Sequence, residues 1–92
     1  MPLRFEWDPE KAASNLAKHD VSFEEANTVF GDPLGKIVQD PRHSLGEQRF
    51  VLLGRSERQR FLTIMFTDRG EAIRLISARK ATRRERREYE EG

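Results

Sequence analysis

The sequence of 92 residues contains no cysteine, which excludes disulfide bonds and zinc sites built on thiolates. Only two histidines are present, so few side chains can carry protons near neutral pH. No run approaches the roughly 18 consecutive apolar residues of a membrane span, and the first residues do not resemble a signal peptide. These absences predict a protein that makes no membrane contact and resides in the reducing cytoplasm.

Arginine is the residue that the sequence has in excess, and it is concentrated in the C-terminal part. The net charge is only +1. However, residues 1–54 hold 6 basic and 9 acidic side chains, whereas residues 55–92 hold 11 basic and 7 acidic ones, and ten of those eleven are arginine. The planar guanidinium group suits phosphate oxygens. This asymmetry is compatible with a polyanionic partner and, equally, with a solvated helix of arginine and glutamate pairs.

Hydrophobic periodicity predicts one small α+β domain over residues 1–92, with elements in the order β-α-α-β-β-β-β-α. The elements are a strand over residues 3–7, helices over 9–18 and 23–30, strands over 37–38, 47–54, 61–67 and 72–78, and a helix from residue 83. Short turns between the later strands predict a small antiparallel sheet, with the two N-terminal helices packed on one face.

The same pattern predicts which side chains of these elements are buried. The first helix is expected to turn Ala12, Ala13, Leu16 and Ala17 towards one side, and Leu16 towards the core. Arg79 shares strand alternation with Leu75, so both are expected on one face if that face is apolar. The last helix is polar almost all round, so it must rest on the sheet, on a partner, or on its own Glu–Arg pairs.

Candidate chemistry centres on a loop histidine and on arginines placed by strands. His43 lies in a loop bounded by proline and glycine, and Glu47 follows four residues later, so the pair could serve as general acid and base. A turn histidine bonded to the backbone is an equal alternative. His19 is better explained as a packed residue that ends a helix. Arg79 could bind a phosphate or form an ion pair with a carboxylate, for which the candidates are Glu47, Asp68 and Glu71.

Metal binding is not predicted. Two histidines in different segments, without cysteine, do not form a zinc motif.

Several strings, taken together and in order, resemble the BrnT family, the toxins of bacterial and archaeal BrnT/BrnA toxin–antitoxin pairs. They are Phe5-Glu6-Trp7-Asp8, Lys11, Asn15, residues 18–26 and 30–33, His43, Glu47-Gln48-Arg49, and residues 76–81. Family members usually have glycine where this chain has Asp20. The difference weakens the resemblance little, because aspartate tolerates the left-handed conformation of a helix end.

The resemblance implies a RelE-like fold and an endoribonuclease that blocks translation by cutting RNA, without a metal or another cofactor. It also implies neutralisation by a cognate BrnA-like ribbon-helix-helix antitoxin. Operator DNA would be bound only through the toxin–antitoxin complex, and a toxin–toxin contact is allowed. A subunit that binds nucleic acid or docks the antitoxin without catalysis is the alternative.

Roles for individual residues are interpreted with the resemblance in hand. Glu47 and His43 are the expected base and acid, in unresolved order, and Arg49 and Arg79 are the expected phosphate clamp. The expected RNA contacts, in a salt-sensitive role, are Lys18, His19, Arg83, Arg84, Arg86, Arg87 and Tyr89, the last by stacking on a base. Residues 76–79 are expected to be rigid strand, and residues 83–89 a mobile arm.

Overall fold

The computed structural model describes residues 4–40 and 48–91. The elements in chain order are β1 (Phe5–Glu6), α1 (Pro9–His19), α2 (Phe23–Thr28) with a short 3-10 turn (Val29–Gly31), β2 (Lys36–Gln39), β3 (Phe50–Arg55), β4 (Phe61–Asp68), β5 (Ile73–Lys80) and α3 (Arg83–Glu91). Within the two described stretches, no helix has both the length and the apolar character needed to cross a membrane.

The five strands of the described residues form one sheet in the order β1-β5-β4-β3-β2. β2 to β5 are antiparallel neighbours, as the short turns predict. β1 was not predicted to lie beside the last strand, yet it runs parallel to β5, with Phe5 opposite Ile73. A parallel pair needs a long crossover connection, and local sequence patterns do not reveal which distant strands it will join. The α+β architecture and the order of elements are confirmed.

One face of the sheet carries the hydrophobic core. Phe23 is fully buried and meets the indole of Trp7 edge-on, with ring centroids 5.8 Å apart. The Phe30 ring lies between those of Phe5 and Phe66, and the ring centroids are 5.0 Å apart in each pair. The fully or nearly buried members of this cluster are Val21, Phe23, Ala26, Val29, Leu52, Leu62, Ile64, Phe66, Leu75 and Ala78. The helices therefore cover this face as predicted, through the residues that follow α1 more than through α1 itself.

Helix α1 begins and ends as its sequence predicts. The carboxylate of Asp8 accepts a hydrogen bond from the Glu10 N–H at 2.9 Å, and Pro9 takes the first helical position, where no amide hydrogen is needed. Asp20 follows the helix in the left-handed region, with φ of 59°, and its N–H bonds the Leu16 carbonyl. Aspartate thus fills a position that glycine would adopt at less cost.

The buried side of α1 is not the one that hydrophobicity predicts. Leu16 is 49% exposed and Asn15 only 7% exposed. The Asn15 side chain donates to the Ala78 carbonyl at 2.8 Å, accepts from the Ala78 N–H at 3.0 Å, and donates to the Val21 carbonyl at 2.9 Å. In the described residues, β1 pairs only with Ile73 and Arg74, so the rest of β5 has no neighbouring strand on that side. The Asn15 amide bonds this open edge as a neighbouring strand would.

A second buried polar group ties α2 to the turn between β3 and β4. The Ser22 hydroxyl accepts from the Glu25 N–H at 3.0 Å, as the predicted capping box requires. The Glu25 carboxylate, however, turns inwards and bonds the Arg60 guanidinium and the Ser56 hydroxyl. The hydrogen bond from Arg60 is the main cause that lowers the pKa of Glu25. The side chain therefore remains a carboxylate in spite of its burial.

An irregularity in the sheet corrects the predicted placement of Arg79. The β4–β5 register shifts between Met65 and Phe66, so Phe66 faces Leu75 whereas Thr63 faces Arg79. Such a bulge inserts an extra residue into one strand, so the alternation of faces changes beyond it. Leu75 is in the core, and Arg79 lies on the opposite face of the sheet, where α3 is docked.

Candidate functional site

The second face of the sheet forms a groove of about 270 Å³ beneath α3. Its floor is apolar, with Val38 from β2 and Val51 and Leu53 from β3. Glu85 and Glu88 of α3 form one wall. The remaining lining residues are Lys36, Gln39 and Asp40. The groove thus combines a rigid strand floor with a wall made by a single short helix.

Arg79 is held at this face by two hydrogen bonds to one carboxylate. Its two terminal nitrogens donate to the two oxygens of Glu85 at 2.8 and 2.9 Å. This bidentate geometry is the strongest form of an ion pair between side chains. It raises the pKa of Arg79 and, with Arg79 as the main cause, lowers the pKa of Glu85 to about 2. The sequence suggested Glu47, Asp68 or Glu71 as ion-pair partners of Arg79, so the pairing with Glu85 was not predicted.

Glu85 accepts two further hydrogen bonds. The Thr63 hydroxyl donates to Oε1 at 3.0 Å, and the Thr82 N–H donates to the same oxygen at 2.8 Å. The Thr82 hydroxyl accepts from the Glu85 N–H at 3.1 Å, which completes the predicted capping box of α3. The carboxylate is therefore surrounded by a guanidinium group, a hydroxyl and an amide.

A second contact holds the other end of α3. The Tyr89 ring meets Phe61 edge-on at 5.2 Å, and its hydroxyl donates to Asp32 Oδ2 at 2.8 Å. Burial raises the pKa of Tyr89, and the bond to Asp32 acts in the same direction. Lys36 Nζ also donates to the Glu88 carbonyl. The helix thus rests on the sheet, whereas residues 83–89 were expected to form a mobile arm.

Asp32 is itself firmly bound. Burial works to raise the pKa of its carboxyl, but hydrogen bonds from the Arg55 and Leu34 N–H groups and from the Tyr89 hydroxyl outweigh burial, so the pKa is lowered. The Arg55 N–H donates to Oδ2 at 2.7 Å and the Leu34 N–H to Oδ1 at 2.9 Å. The acceptor that holds Tyr89 is therefore charged and fixed in place.

The arginines of α3 differ in their surroundings. Arg86 lies over the Phe61 ring at 4.4 Å and pairs with Glu90 at 3.5 Å, and Arg84 pairs with Glu88 at 3.7 Å. Arg83 and Arg87 are exposed. All four are near water and remain available to a ligand, since exposed ion pairs of this kind are weak.

Two predicted catalytic residues, His43 and Glu47, lie outside the described residues. Arg49, the third, directly precedes β3 and is half-buried, and its carbonyl accepts from the Asp40 N–H at 2.9 Å. Asp40, the last described residue before the gap, lines the groove. Asp40 and Arg49 are thus joined by a backbone hydrogen bond, and of these two only Asp40 lines the groove.

Lys18 and His19 lie elsewhere, at the end of α1. They line a separate hollow of about 190 Å³ between α1 and β5, together with Lys11, Ser14, Asn15, Ile76 and Ser77. Lys18 is exposed and His19 is half-buried at the last helical position, which fits the structural interpretation of this histidine. The hollow shares no residue with the groove. The predicted RNA contacts are therefore divided between two places.

Sequence reasoning missed Glu85, Thr63 and Asp32 as members of the site. Glu85 had a visible signal, because its position three residues after Thr82 identified it as a capping residue, but that signal does not predict its bond to Arg79. Within residues 4–40 and 48–91, no three His, Asp or Glu side chains converge as a metal site would require.

The fold is thus a small α+β domain with two helices on one face of the sheet and a C-terminal helix on the other, where Arg79 pairs with Glu85. A family model described as a ribonuclease toxin of type II toxin–antitoxin systems matches residues 7–85. That family is BrnT, and the chain belongs to it.

A solved structure supports the same fold. The crystal structure of the Brucella abortus ribonuclease toxin BrnT is 21% identical in sequence, covers 89% of this chain and all 100% of its own, and superposes with a TM-score of 0.69. No curated protein sequence matches the chain at a significant level.

Proposed function

We propose that this chain is a toxin that cleaves RNA without a metal, inhibits translation, and is neutralised by a cognate DNA-binding antitoxin. Membership of the BrnT family carries the proposal, because that family is described as a ribonuclease toxin of type II toxin–antitoxin systems. Translated RNA is the target, so the protein acts in the cytoplasm, with residues 1–92 as one toxin domain.

The proposed reaction is attack of an RNA 2′-oxygen on the adjacent phosphorus. A base removes the 2′-hydroxyl proton, the new P–O bond forms, and the bond to the 5′-oxygen breaks as an acid protonates that oxygen. The products are a 2′,3′-cyclic phosphate and a 5′-hydroxyl. Glu47 and His43 share the base and acid roles in unresolved order, and Arg49 and Arg79 stabilise the developing phosphorane charge.

The placement of Arg79 supports this assignment. It projects from a strand paired with β4 and not from a tail, so its backbone is fixed before a ligand arrives. Lys18, His19 and the exposed arginines of α3 are the proposed contacts to the RNA backbone, with salt-sensitive binding. The proposed stacking of Tyr89 on a base requires the ring to leave Phe61.

The proposed antitoxin is a BrnA-like protein with a ribbon-helix-helix region, and the complex binds operator DNA. A toxin–toxin contact is compatible with the proposal. The outer strand β2 exposes apolar side chains, with Ile37 57% and Val38 60% exposed. This observation favours a second candidate function, a subunit that docks its partner and has no catalytic activity of its own.

Expression of the chain alone under tight control tests the proposal. We expect growth arrest and new RNA ends with 5′-hydroxyl groups, both lost on Arg79→Ala and on Glu47→Ala while the proteins stay folded. An exposed arginine that pairs elsewhere provides the matched control, Arg58→Ala. Intact RNA together with a gel shift would favour a binding module, and the absence of both arrest and binding would favour the docking subunit.

A further inference from the structure

The Glu85 carboxylate occupies a position built to bind an oxyanion. Four hydrogen bonds converge on it: two from the Arg79 guanidinium, one from the Thr63 hydroxyl and one from the Thr82 N–H. A guanidinium fork joined by neutral donors is an arrangement that also binds phosphate oxygens. A carboxylate in this position therefore stands where two oxygens of a phosphodiester would fit.

The donors and the carboxylate belong to different parts of the fold. Arg79 and Thr63 face each other on the neighbouring strands β5 and β4. Glu85 belongs to α3, in which no residue is fully buried. Departure of α3 would remove the acceptor and leave both donors of the sheet in place. The site is thus part of the rigid framework, and its present occupant is part of a removable element.

We propose that Arg79 and Thr63 form a phosphodiester-binding site, which Glu85 occupies in the free protein as an internal mimic, and that RNA binding displaces α3. The inference rests on the proposed function in one respect, since it takes RNA as the source of the phosphodiester. It adds a self-masked state of the toxin, in which the phosphate site is closed until an RNA competes with the helix.

Protonation of Glu85 does not free the phosphate site at neutral pH. The pKa of Glu85 is about 2, chiefly because of the hydrogen bond from Arg79, so the carboxylate stays charged under physiological conditions. A competing anion must therefore displace it. Tyr89 provides the second restraint on α3 through its hydroxyl bond to Asp32, and this restraint lies away from the phosphate site.

The test is the affinity for an RNA oligonucleotide with methylated 2′-hydroxyls, which cannot undergo the proposed reaction. We expect Glu85→Gln to tighten binding about tenfold, within the usual range of coupling between linked equilibria. Tyr89→Phe loosens α3 without a change of charge and should also tighten binding, by a smaller factor. The gain from Glu85→Gln should vanish in the Arg79→Gln/Glu85→Gln double variant.

Glu90→Gln is the matched control. Glu90 lies on the same helix and pairs with Arg86 at 3.5 Å, so its loss removes the same charge and frees an arginine, but it does not contact Arg79. Equal gains from Glu85→Gln and Glu90→Gln would overturn the inference, because general electrostatics would then explain both. Unchanged or weaker binding by Glu85→Gln, with a normal melting curve, would also overturn it.

Cleavage of unmethylated RNA, followed in parallel, separates this inference from the proposed function. Cleavage by the wild type without tighter binding by Glu85→Gln contradicts only the internal mimic. Tighter binding by Glu85→Gln without cleavage by any variant contradicts the enzymatic proposal and supports the phosphodiester site.

Discussion

The two faces of the sheet are covered in different ways. On the first face, α2 and the residues around it bury a continuous apolar cluster against the strands, with Phe23 at its centre. On the second face, α3 buries no residue fully and is held mainly by polar contacts, among them the Arg79–Glu85 ion pair and the Tyr89 hydroxyl, with Tyr89 and Arg86 against the Phe61 ring. Apolar burial dominates folding stability, whereas exposed polar contacts contribute little each. The first face therefore dominates folding stability, and under the proposal above the second opens without unfolding.

This comparison has a convenient pair of reporters. The single tryptophan, Trp7, packs on Phe23 on the first face, and the single tyrosine, Tyr89, packs on Phe61 on the second. Fluorotryptophan and fluorotyrosine labels therefore each give one fluorine NMR signal, one for each face.

The largest expected effect comes from Phe23→Ala on the first face. Removal of a fully buried ring should cost about 3–5 kcal/mol of unfolding free energy, and both fluorine signals should shift together. The matched control is Leu16→Ala, which removes an apolar side chain that is half exposed and should change stability by less than about 0.5 kcal/mol. Denaturant titration measures both. Similar costs for the two variants would contradict the placement of the core.

A smaller loss is expected from Asn15→Leu, which tests whether the open edge of β5 needs its polar neighbour. Leucine is more hydrophobic, yet it would leave the Ala78 N–H and C=O unpaired, so we expect a loss of about 2 kcal/mol. Ser14→Leu, at the exposed neighbouring position, is the control. Urea unfolding distinguishes the two, and an Asn15→Leu protein as stable as the wild type would refute the role of the amide.

The third prediction concerns the effect of acid on the second face. The pKa of Glu85 is lowered from 4.5 to about 2, chiefly by the hydrogen bond from Arg79, so its stabilisation is complete above about pH 4.5 and disappears as the pH falls towards 2. The difference in unfolding free energy between wild type and Glu85→Gln should follow that course. A difference that stays constant from neutral pH to pH 2 would show that the ion pair does not hold α3.

Much of the fold could be predicted from the sequence, because helix caps and strand alternation are local signals. Asp8, Pro9 and the Thr82–Glu85 pair mark helix ends where the structure has them. Long-range facts were not accessible in this way. The parallel pairing of β1 with β5 and the bulge near Met65 depend on tertiary packing, and the bulge alone moves Arg79 to the other face.

The candidate site was predictable in part. The family strings identified Arg79 and the segment of His43 and Glu47, and the roles of these residues stay predictions. The partner of Arg79 was missed because Glu85 already had a complete local explanation as a capping residue. Asn15 was missed as a buried residue because burial of an amide depends on which backbone groups lack a partner, and alternation of hydrophobic residues carries no such information.

The most direct test of the two-face account is fluorine NMR of the doubly labelled protein during titration with the methylated RNA oligonucleotide. Displacement of α3 predicts that the Tyr89 signal leaves the position it has beside Phe61 as RNA reaches saturation, while the Trp7 signal stays where it was. A Tyr89 signal that is unchanged at saturation, or a Trp7 signal that moves equally far, would contradict the account.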